Sequence, residues 1–362
     1  MSVREIQIPQ KFIDKYGSNF PIYSYSKCSS LDNCIYEYYL SRIKKVDIEE
    51  NIYGVVGGIV HDILEKFYNK EIKFDDMPTL FEDKFFEIEM LGYCFNKNDK
   101  VKNETITKSY VDNIKHFFEN HNIINSKIFT EKEVWIDIKG NVFVGYIDAI
   151  YRENKAKYVV LDYKTSSMSG YTGKKKDEKA MQLLLYALAL KQANIPLENI
   201  KCGWNFLKYV NVTTYQVLKS GKVKEKVKIA ERYKWVKELE NQIKKELVEY
   251  YPDMLEWEID ILFQECVDKN NLDKLPQEIK DKFDLSDCIV YIDVNEQTIK
   301  NLENYLLDKI KEIKDRTEKK DWDRKNIDKN DLFYCTMLCG CKNHCKYYKD
   351  YKDYVGGYRG SI

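Results

Sequence analysis

Residues 145–165, with the sequence GYIDAIYRENKAKYVVLDYKT, decide the fold of this chain. β-Branched and aromatic residues crowd both ends of the segment, which is typical of strands. Asp148 lies at the end of one predicted strand and Asp162 at the end of the next. If the two strands pair, both carboxylates converge at one edge of the sheet. Lys164 follows Asp162 by two positions, so an extended backbone places it on the same face.

The segments on either side predict an α/β fold class with a mixed sheet flanked by helices. Apolar residues at helical spacing predict helices at 36–43, 58–68, 81–90, 110–118, 180–191, 223–251 and 296–314. Alternating or β-branched residues predict strands at 132–138, 141–151, 158–163, 202–208 and 290–294. The dipeptide Gly140-Asn141 predicts the hairpin turn between the first two strands.

Asp148, Asp162 and Lys164 together suggest a chemistry. Two carboxylates at one point suit a hard cation such as Mg²⁺ or Mn²⁺, which prefers oxygen ligands. Such a cation activates a bound water, and the neighbouring lysine stabilises developing negative charge. This combination predicts metal-assisted phosphodiester hydrolysis. The alternative is that Asp148 and Asp162 are turn residues and that Lys164 is simply solvated.

Two further elements carry candidate site residues. His61 opens a helix just after Gly57-Gly58, and neutral imidazole is a competent metal ligand. Gln182 and Tyr186 lie one turn apart on the helix after the Asp-x-Lys segment, and both donate hydrogen bonds. Each of these residues, taken alone, is equally consistent with a structural role and with a role in the site.

Taken together, these motifs resemble the RecB-type branch of the PD-(D/E)XK nuclease superfamily. The resemblance rests on Gly-x-x-x-His-x-x-Leu-Glu, Gly-x-Ile-Asp, Asp-Tyr-Lys-Thr and Gln-x-x-x-Tyr in this order. It implies a PD-(D/E)XK core in which the metal ligands are His61, Asp148, Asp162 and the carbonyl of Tyr163. It also implies that Lys164 is the catalytic lysine. Gln182 and Tyr186 would support Lys164 and the DNA backbone.

The ten cysteines divide into a scattered set and a dense C-terminal group. Four of them, Cys335, Cys339, Cys341 and Cys345, are close enough in sequence to hold zinc or an iron–sulfur cluster. The chain also resembles CRISPR-adaptation nucleases and AddB-type nuclease domains, some of which carry a [4Fe–4S] cluster. That resemblance implies the ligands Cys34, Cys335, Cys339 and Cys345, with Cys341 as a substitute.

Three regions are expected along the chain. Residues 1–210 would form the RecB-type nuclease core with its N-terminal helical part, and residues 211–330 a mostly helical insertion or accessory region. Residues 331–362 would form the cysteine-rich tail that closes the iron–sulfur site. The N-terminus has no signal-peptide pattern, and this together with the cysteine usage predicts a cytoplasmic protein without a membrane span.

The chain carries 59 basic and 59 acidic side chains, so its overall charge gives no indication of nucleic acid. A basic loop at Lys174-Lys175-Lys176 is the candidate DNA contact, although such a run is often only a solvated face. The expected function is a Mg²⁺- or Mn²⁺-dependent DNA exonuclease acting on single-stranded DNA or free ends. Recombination, repair, replication or phage DNA metabolism are its expected settings, with a helicase or recombination protein as a candidate partner. The alternative is a non-catalytic DNA-binding or scaffold subunit.

Overall fold

The computed structural model describes residues 7–97, 99–217, 220, 222–324, 327 and 331–349. Its α-helices are α1 Gln10–Tyr16, α2 Tyr25–Asn33, α3 Ile35–Tyr38, α4 Ile52–Tyr68, α5 Met77–Met90, α6 Lys100–Asn120, α7 Lys174–Gln192, α8 Trp235–Glu238, α9 Glu240–Tyr250, α10 Glu256–Lys269, α11 Gln277–Lys280 and α12 Glu296–Lys319. Its strands are β1 Ile22–Tyr23, β2 Ile128–Ile138, β3 Asn141–Arg152, β4 Tyr158–Lys164, β5 Ile200–Val217, β6 Val223–Glu231 and β7 Phe283–Tyr291.

The strands form one mixed sheet. β3 pairs antiparallel with β2 and β4, while β5 pairs parallel with β4 and antiparallel with β6 and β7. The parallel step from β4 to β5 requires a crossover, which α7 provides across one face of the sheet. This arrangement confirms the α/β class with a mixed sheet flanked by helices.

Helices cover both faces of the sheet. On one face α7 and α12 bury a cluster that includes Leu185, Trp204 and Leu306. On the other face α4, α5 and α6 bury a second cluster that includes Val60, Phe81 and Phe117. β4 contributes to both clusters because successive side chains of a strand point to opposite faces.

Several local predictions were wrong. Residues 223–251, predicted as one charged helix, begin with strand β6, whose Lys and Glu residues alternate beside β5. The hairpin turn consists of Lys139 and Gly140, both with positive φ, so it lies one residue earlier than predicted. Lys174–Lys176 open helix α7 and do not form a loop. The boundary at residue 210 stays a prediction, and β5 crosses it.

A third cluster lies beyond the bulge in β5 and joins β5, β6 and β7 to helices α8 to α11. The region after residue 210 thus contains helices α8 to α12 together with the end of β5 and strands β6 and β7. Within the described residues, no helix is long and apolar enough to cross a membrane.

Candidate metal site and cysteine cluster

The ends of β3 and β4 bring the two predicted aspartates together. Ala149 pairs with Leu161 in the antiparallel register, so the next position along each strand places Asp148 beside Asp162. Asp148 Oδ2 accepts a hydrogen bond of 2.9 Å from the backbone N–H of Tyr163. The main chain of β4 therefore fixes the orientation of the Asp148 carboxylate.

Helix α4 brings His61 to the same point. Asn51 caps the helix by accepting from the backbone N–H of Gly54 at 3.0 Å, and an apolar face seats the helix on the sheet. His61 Nε2 lies 3.1 Å from the carbonyl oxygen of Tyr163. Because that oxygen only accepts, the neutral ring that could bind a metal carries its proton on Nε2 and its lone pair on Nδ1.

Glu131 completes the group and was missed by the sequence interpretation. Its Oε1 lies 3.8 Å from Nδ1 of His61, and Asp148 Oδ2 lies 3.7 Å from the same nitrogen. Glu131 interrupts the β2–β3 ladder opposite Asp148 and has a φ of 47°, which is rare for a residue with a Cβ atom. This left-handed kink turns the carboxylate towards the site, as strained residues often do at functional positions.

Ligand atoms of His61, Glu131 and Asp148 lie within 4.8 Å of one another. Burial disfavours the imidazolium form, but the negative charge of Asp148 and Glu131 outweighs it and raises the pKa of His61 to about 9. Burial and the neighbouring charge of Asp162 raise the pKa of Asp148 to about 7. These shifts record a concentration of negative charge that a bound cation would relieve.

Asp162 and Lys164 form an ion pair beside this group. Lys164 Nζ lies 2.5 Å from Asp162 Oδ2, and the aspartate side chain is only 3% exposed. Burial opposes the ammonium, but Asp162 outweighs it and raises the pKa of Lys164, which therefore stays charged. The pair holds a positive charge next to the three candidate ligands.

Gln182 and Tyr186 lie on α7, on the same face of the sheet as the ion pair. Gln182 Nε2 donates to the Tyr186 hydroxyl at 2.9 Å, and Tyr186 is buried. A Cβ atom added to Gly145 would lie 2.9 Å from Cε1 of Tyr186. The glycine of the Gly-x-Ile-Asp motif thus makes room for the tyrosine ring against β3.

We expect Gly145→Ala to lower the free energy of unfolding by about 1–3 kcal/mol, because the buried Tyr186 ring must move to admit the methyl group. Denaturant unfolding monitored by circular dichroism measures the loss. Gly170→Ala is the matched control, since a Cβ atom there meets nothing within 4 Å. Equal stability of the two variants would contradict this packing role.

The cysteine tail lies against the N-terminal helices. One small cavity is lined by five cysteines: Cys34, Cys335, Cys339, Cys341 and Cys345. Arg324 Nη1 lies 3.3 Å from Cys34 Sγ and 3.9 Å from Cys335 Sγ. Burial raises the pKa of Cys335 to about 11, and the guanidinium of Arg324 opposes that shift.

The tail also contacts the chain just before α4. The backbone N–H of Glu49 donates to the carbonyl of Gly340 at 3.0 Å, and Asn51 donates to the carbonyl of Leu338 at 3.1 Å. A Cβ atom on Gly340 would lie 2.5 Å from the Glu49 carbonyl, so only glycine allows this approach. The tail thereby supports the N-terminus of the helix that carries His61.

The predicted DNA contacts lie at the N-terminus of α7. Lys175 is exposed and Lys176 is partly exposed, while of Lys174 only the backbone lies within the described part of the chain. Among the described side chains, neither Lys175 nor Lys176 makes a hydrogen bond or ion pair with a residue of the candidate metal site.

An imidazole, two carboxylates and a lysine ion pair at one sheet edge define the class of metal-dependent hydrolases. A family model described as the PD-(D/E)XK nuclease superfamily matches residues 22–346. The chain therefore belongs to the PD-(D/E)XK nuclease superfamily, and its class is that of metal-dependent nucleases. No curated protein sequence matches it.

Eleven chains of solved structures match this protein. One of them, described as "Crystal structure of SSO0001", is 21% identical over 53% of this chain and 72% of that chain, with a TM-score of 0.18. The family assignment rests on the family model that matches residues 22–346.

Proposed function

We propose that this protein is a metal-dependent deoxyribonuclease of the RecB-type branch that acts as an exonuclease on single-stranded DNA or on DNA with free ends. The observation that carries the proposal is the convergence of His61, Glu131 and Asp148 beside the Asp162–Lys164 ion pair. The experiment that tests it is cleavage of end-labelled DNA with and without a divalent cation.

The donor set fits a divalent cation such as Mg²⁺ or Mn²⁺. Carboxylate oxygens are ligands that both ions accept, and imidazole is a familiar partner of the transition metals. His61, Glu131 and Asp148 would hold the ion, with Asp162 as a further ligand that the sequence motifs imply. The Tyr163 carbonyl, the other ligand that the motifs imply, faces His61 Nε2 at 3.1 Å in this structure. Bound there, the ion would supply Lewis acidity towards a phosphate oxygen and a lowered pKa for a water.

The side chains of the protein perform the remaining tasks. The Lys164 ammonium, held by Asp162, stabilises negative charge on the phosphate and orients the attacking water. The Tyr163 N–H holds Asp148, and the Tyr163 carbonyl holds His61, so one peptide segment positions two of the ligands. Gln182 and Tyr186 support the face on which Lys164 lies.

We expect Glu131→Gln to raise the Mg²⁺ or Mn²⁺ concentration needed for half-maximal cleavage by about 10–100-fold, because the amide removes one anionic ligand. Titration of activity against metal concentration measures the shift. The matched control is Glu133→Gln on the same strand, where glutamine keeps an oxygen that accepts from Trp135 Nε1. An unchanged metal requirement in Glu131→Gln would show that Glu131 is not a metal ligand.

We further propose that the cysteines hold a [4Fe–4S] cluster through Cys34, Cys335, Cys339 and Cys345, with Cys341 as the substitute ligand. All five cysteines line one small cavity, and this common site supports the proposed cluster, whose role would be structural.

The remaining parts of the proposal concern substrate and setting. Lys174, Lys175 and Lys176 are proposed to contact DNA phosphates, which a steep salt dependence of binding would support. The proposed setting is cytoplasmic DNA recombination, repair, replication or phage DNA metabolism, with a helicase or recombination protein as the candidate partner.

A further inference from the structure

A broad groove lies beside the edge strand β2, on the face of the sheet that α7 covers. It has a volume of about 680 Å³ and is lined mainly by residues of β2, β3 and the C-terminal end of α7. Its floor is apolar, because Ile147, Ile150, Ala189 and Leu190 belong to the cluster buried under α7 and α12. The volume falls within the range of binding sites for small organic groups.

The charged side chains around this groove are all cationic. Lys11, Lys127, Lys132 and Arg152 line it and are exposed, whereas no acidic residue of the described chain lines it. Within the described chain, none of the four makes an ion pair. Since the whole sequence has equal numbers of basic and acidic side chains, this excess of positive charge is local. The groove therefore attracts an anionic occupant.

Aromatic rings accompany these cations. Lys127 Nζ lies 4.9 Å from the centroid of the Phe129 ring, and Arg152 Cζ lies 4.8 Å from the centroid of the Tyr158 ring. Phe129 is 48% exposed although its side chain is large and apolar, and Trp135 lines the same groove. A groove that combines cations with aromatic rings is typical of proteins that bind single-stranded nucleic acid, because the cations contact phosphates and the rings stack on bases.

The groove begins beside the candidate metal site. Lys132 pairs with Ile147 across the β2–β3 ladder, and both residues line the groove. The preceding residue of β2 is Glu131 and the following residue of β3 is Asp148, both of them candidate metal ligands. Because a strand rises about 3.3 Å per residue, the groove and these ligands are adjacent along both strands. A nucleic-acid strand bound at the metal can therefore continue into the groove.

An acidic peptide is the other occupant that a cationic groove could attract. Within the described residues β2 pairs with β3 alone, so its outer edge is open to an added strand. However, Glu131 has a φ of 47° and interrupts the regular edge that strand addition needs. The neighbouring cations and rings match the phosphates and bases of a nucleotide, so they favour single-stranded DNA over a peptide strand.

We propose that this groove binds the single-stranded part of a DNA substrate on one side of the bond that is cleaved. The proposal rests on the nuclease function proposed above and adds the path that the strand takes away from the metal. Lys127, Lys132 and Arg152 contact phosphates, and the ring of Phe129 stacks on a base. These contacts are distinct from those of Lys174–Lys176, because the groove lies at the opposite end of α7.

Equilibrium binding of a fluorescently labelled oligothymidylate to the full-length protein tests this path. Fluorescence anisotropy is measured in a chelator, so that binding is observed without cleavage, and at several salt concentrations. The double variant Lys127→Met/Lys132→Met should bind about tenfold more weakly. Its plot of log K against log salt concentration should be shallower by about 1.4, because each phosphate contact on a single strand accounts for about 0.7. Phe129→Ala should also bind about tenfold more weakly but with an unchanged salt dependence, since stacking releases no counterion.

Lys300→Met/Lys311→Met is the matched control for the double lysine variant. Both lysines are exposed on α12, make no ion pair within the described chain and do not line the groove. Phe86→Ala is the matched control for Phe129→Ala, because Phe86 is a 63% exposed phenylalanine outside the groove. Both controls should bind like the unmodified protein. All of the substituted side chains are exposed, so each variant should keep its fold, which circular dichroism checks.

Equal binding by the groove variants and their controls, or an unchanged salt dependence in the double lysine variant, would overturn the proposal. A glutamate-rich peptide is titrated against the same proteins. If Lys127→Met/Lys132→Met weakens binding of the peptide but not of the oligothymidylate, the groove is a peptide site and the proposal fails.

Cleavage assays with the same variants separate the groove from the nuclease function. The groove variants should need about tenfold more DNA than their controls for half-maximal cleavage. If they need no more, the groove fails while the nuclease function stands. If the unmodified protein shows groove-dependent binding but no metal-dependent cleavage, the nuclease function fails while the groove stands as a single-strand binding site.

Discussion

Lys164→Met is expected to lower the rate of metal-dependent DNA cleavage by about 10²–10³-fold, the usual cost of removing one preorganised stabiliser of transition-state charge. Methionine is similar in length and flexibility but carries no charge. Lys164 Nζ lies 2.5 Å from Asp162 Oδ2, beside the three candidate ligands, so the substitution removes a positive charge held next to the proposed metal site. Single-turnover cleavage of end-labelled DNA measures the loss.

Asp162→Asn should cause a similar loss because Lys164 then lacks its anchoring carboxylate. Residues that act as a unit are not additive, so the double variant should be little worse than either single variant. Lys201→Met is the matched control, since Lys201 pairs with Glu153 at 2.8 Å on the same sheet but both side chains are exposed. Cleavage by Lys164→Met at the rate of this control would exclude a catalytic role for Lys164.

Cys34→Ser is expected to remove the iron and the broad visible-blue absorbance of the purified protein. Cys34 is the one proposed cluster ligand outside the tail, so its loss releases a cross-link that spans most of the chain. The chain-entropy cost of such a link is on the order of 5 kcal/mol, which corresponds to a fall in Tm of about 7 °C. Metal analysis, absorption spectra and thermal unfolding measure the three effects.

Cys94→Ser is the matched control because Cys94 is partly exposed and does not line the cysteine cavity. It should keep iron, colour and Tm. Since the tail contacts Glu49 and Asn51 ahead of α4, loss of the cluster should also lower nuclease activity through His61. Stoichiometric zinc without iron in the unmodified protein would contradict the cluster assignment.

Local sequence patterns predicted the two strands at whose ends Asp148 and Asp162 meet. The strands around Asp148 and Asp162 have strong β-forming composition, and the two-residue spacing to Lys164 follows directly from strand geometry. The prediction of one helix over 223–251 was wrong because alternating Lys and Glu residues satisfy both helical charge pairing and an exposed strand. Pairing with β5 decides between helix and strand, and the local pattern of residues 223–231 does not reveal that pairing.

Glu131 was missed for a related reason. Its place opposite Asp148 follows by counting along the hairpin from the Lys139–Gly140 turn, but a turn placed one residue later shifts the register. The residue types around Glu131 do not predict its left-handed φ.

The most direct test of the nuclease proposal is cleavage of end-labelled single-stranded and double-stranded DNA by the unmodified protein, by Lys164→Met and by Lys201→Met. Each is assayed with Mg²⁺, with Mn²⁺ and with a chelator. The account predicts metal-dependent release of labelled products by the unmodified protein and by Lys201→Met, and loss of that activity in Lys164→Met. Cleavage in the chelator, or undiminished metal-dependent cleavage by Lys164→Met, would contradict it.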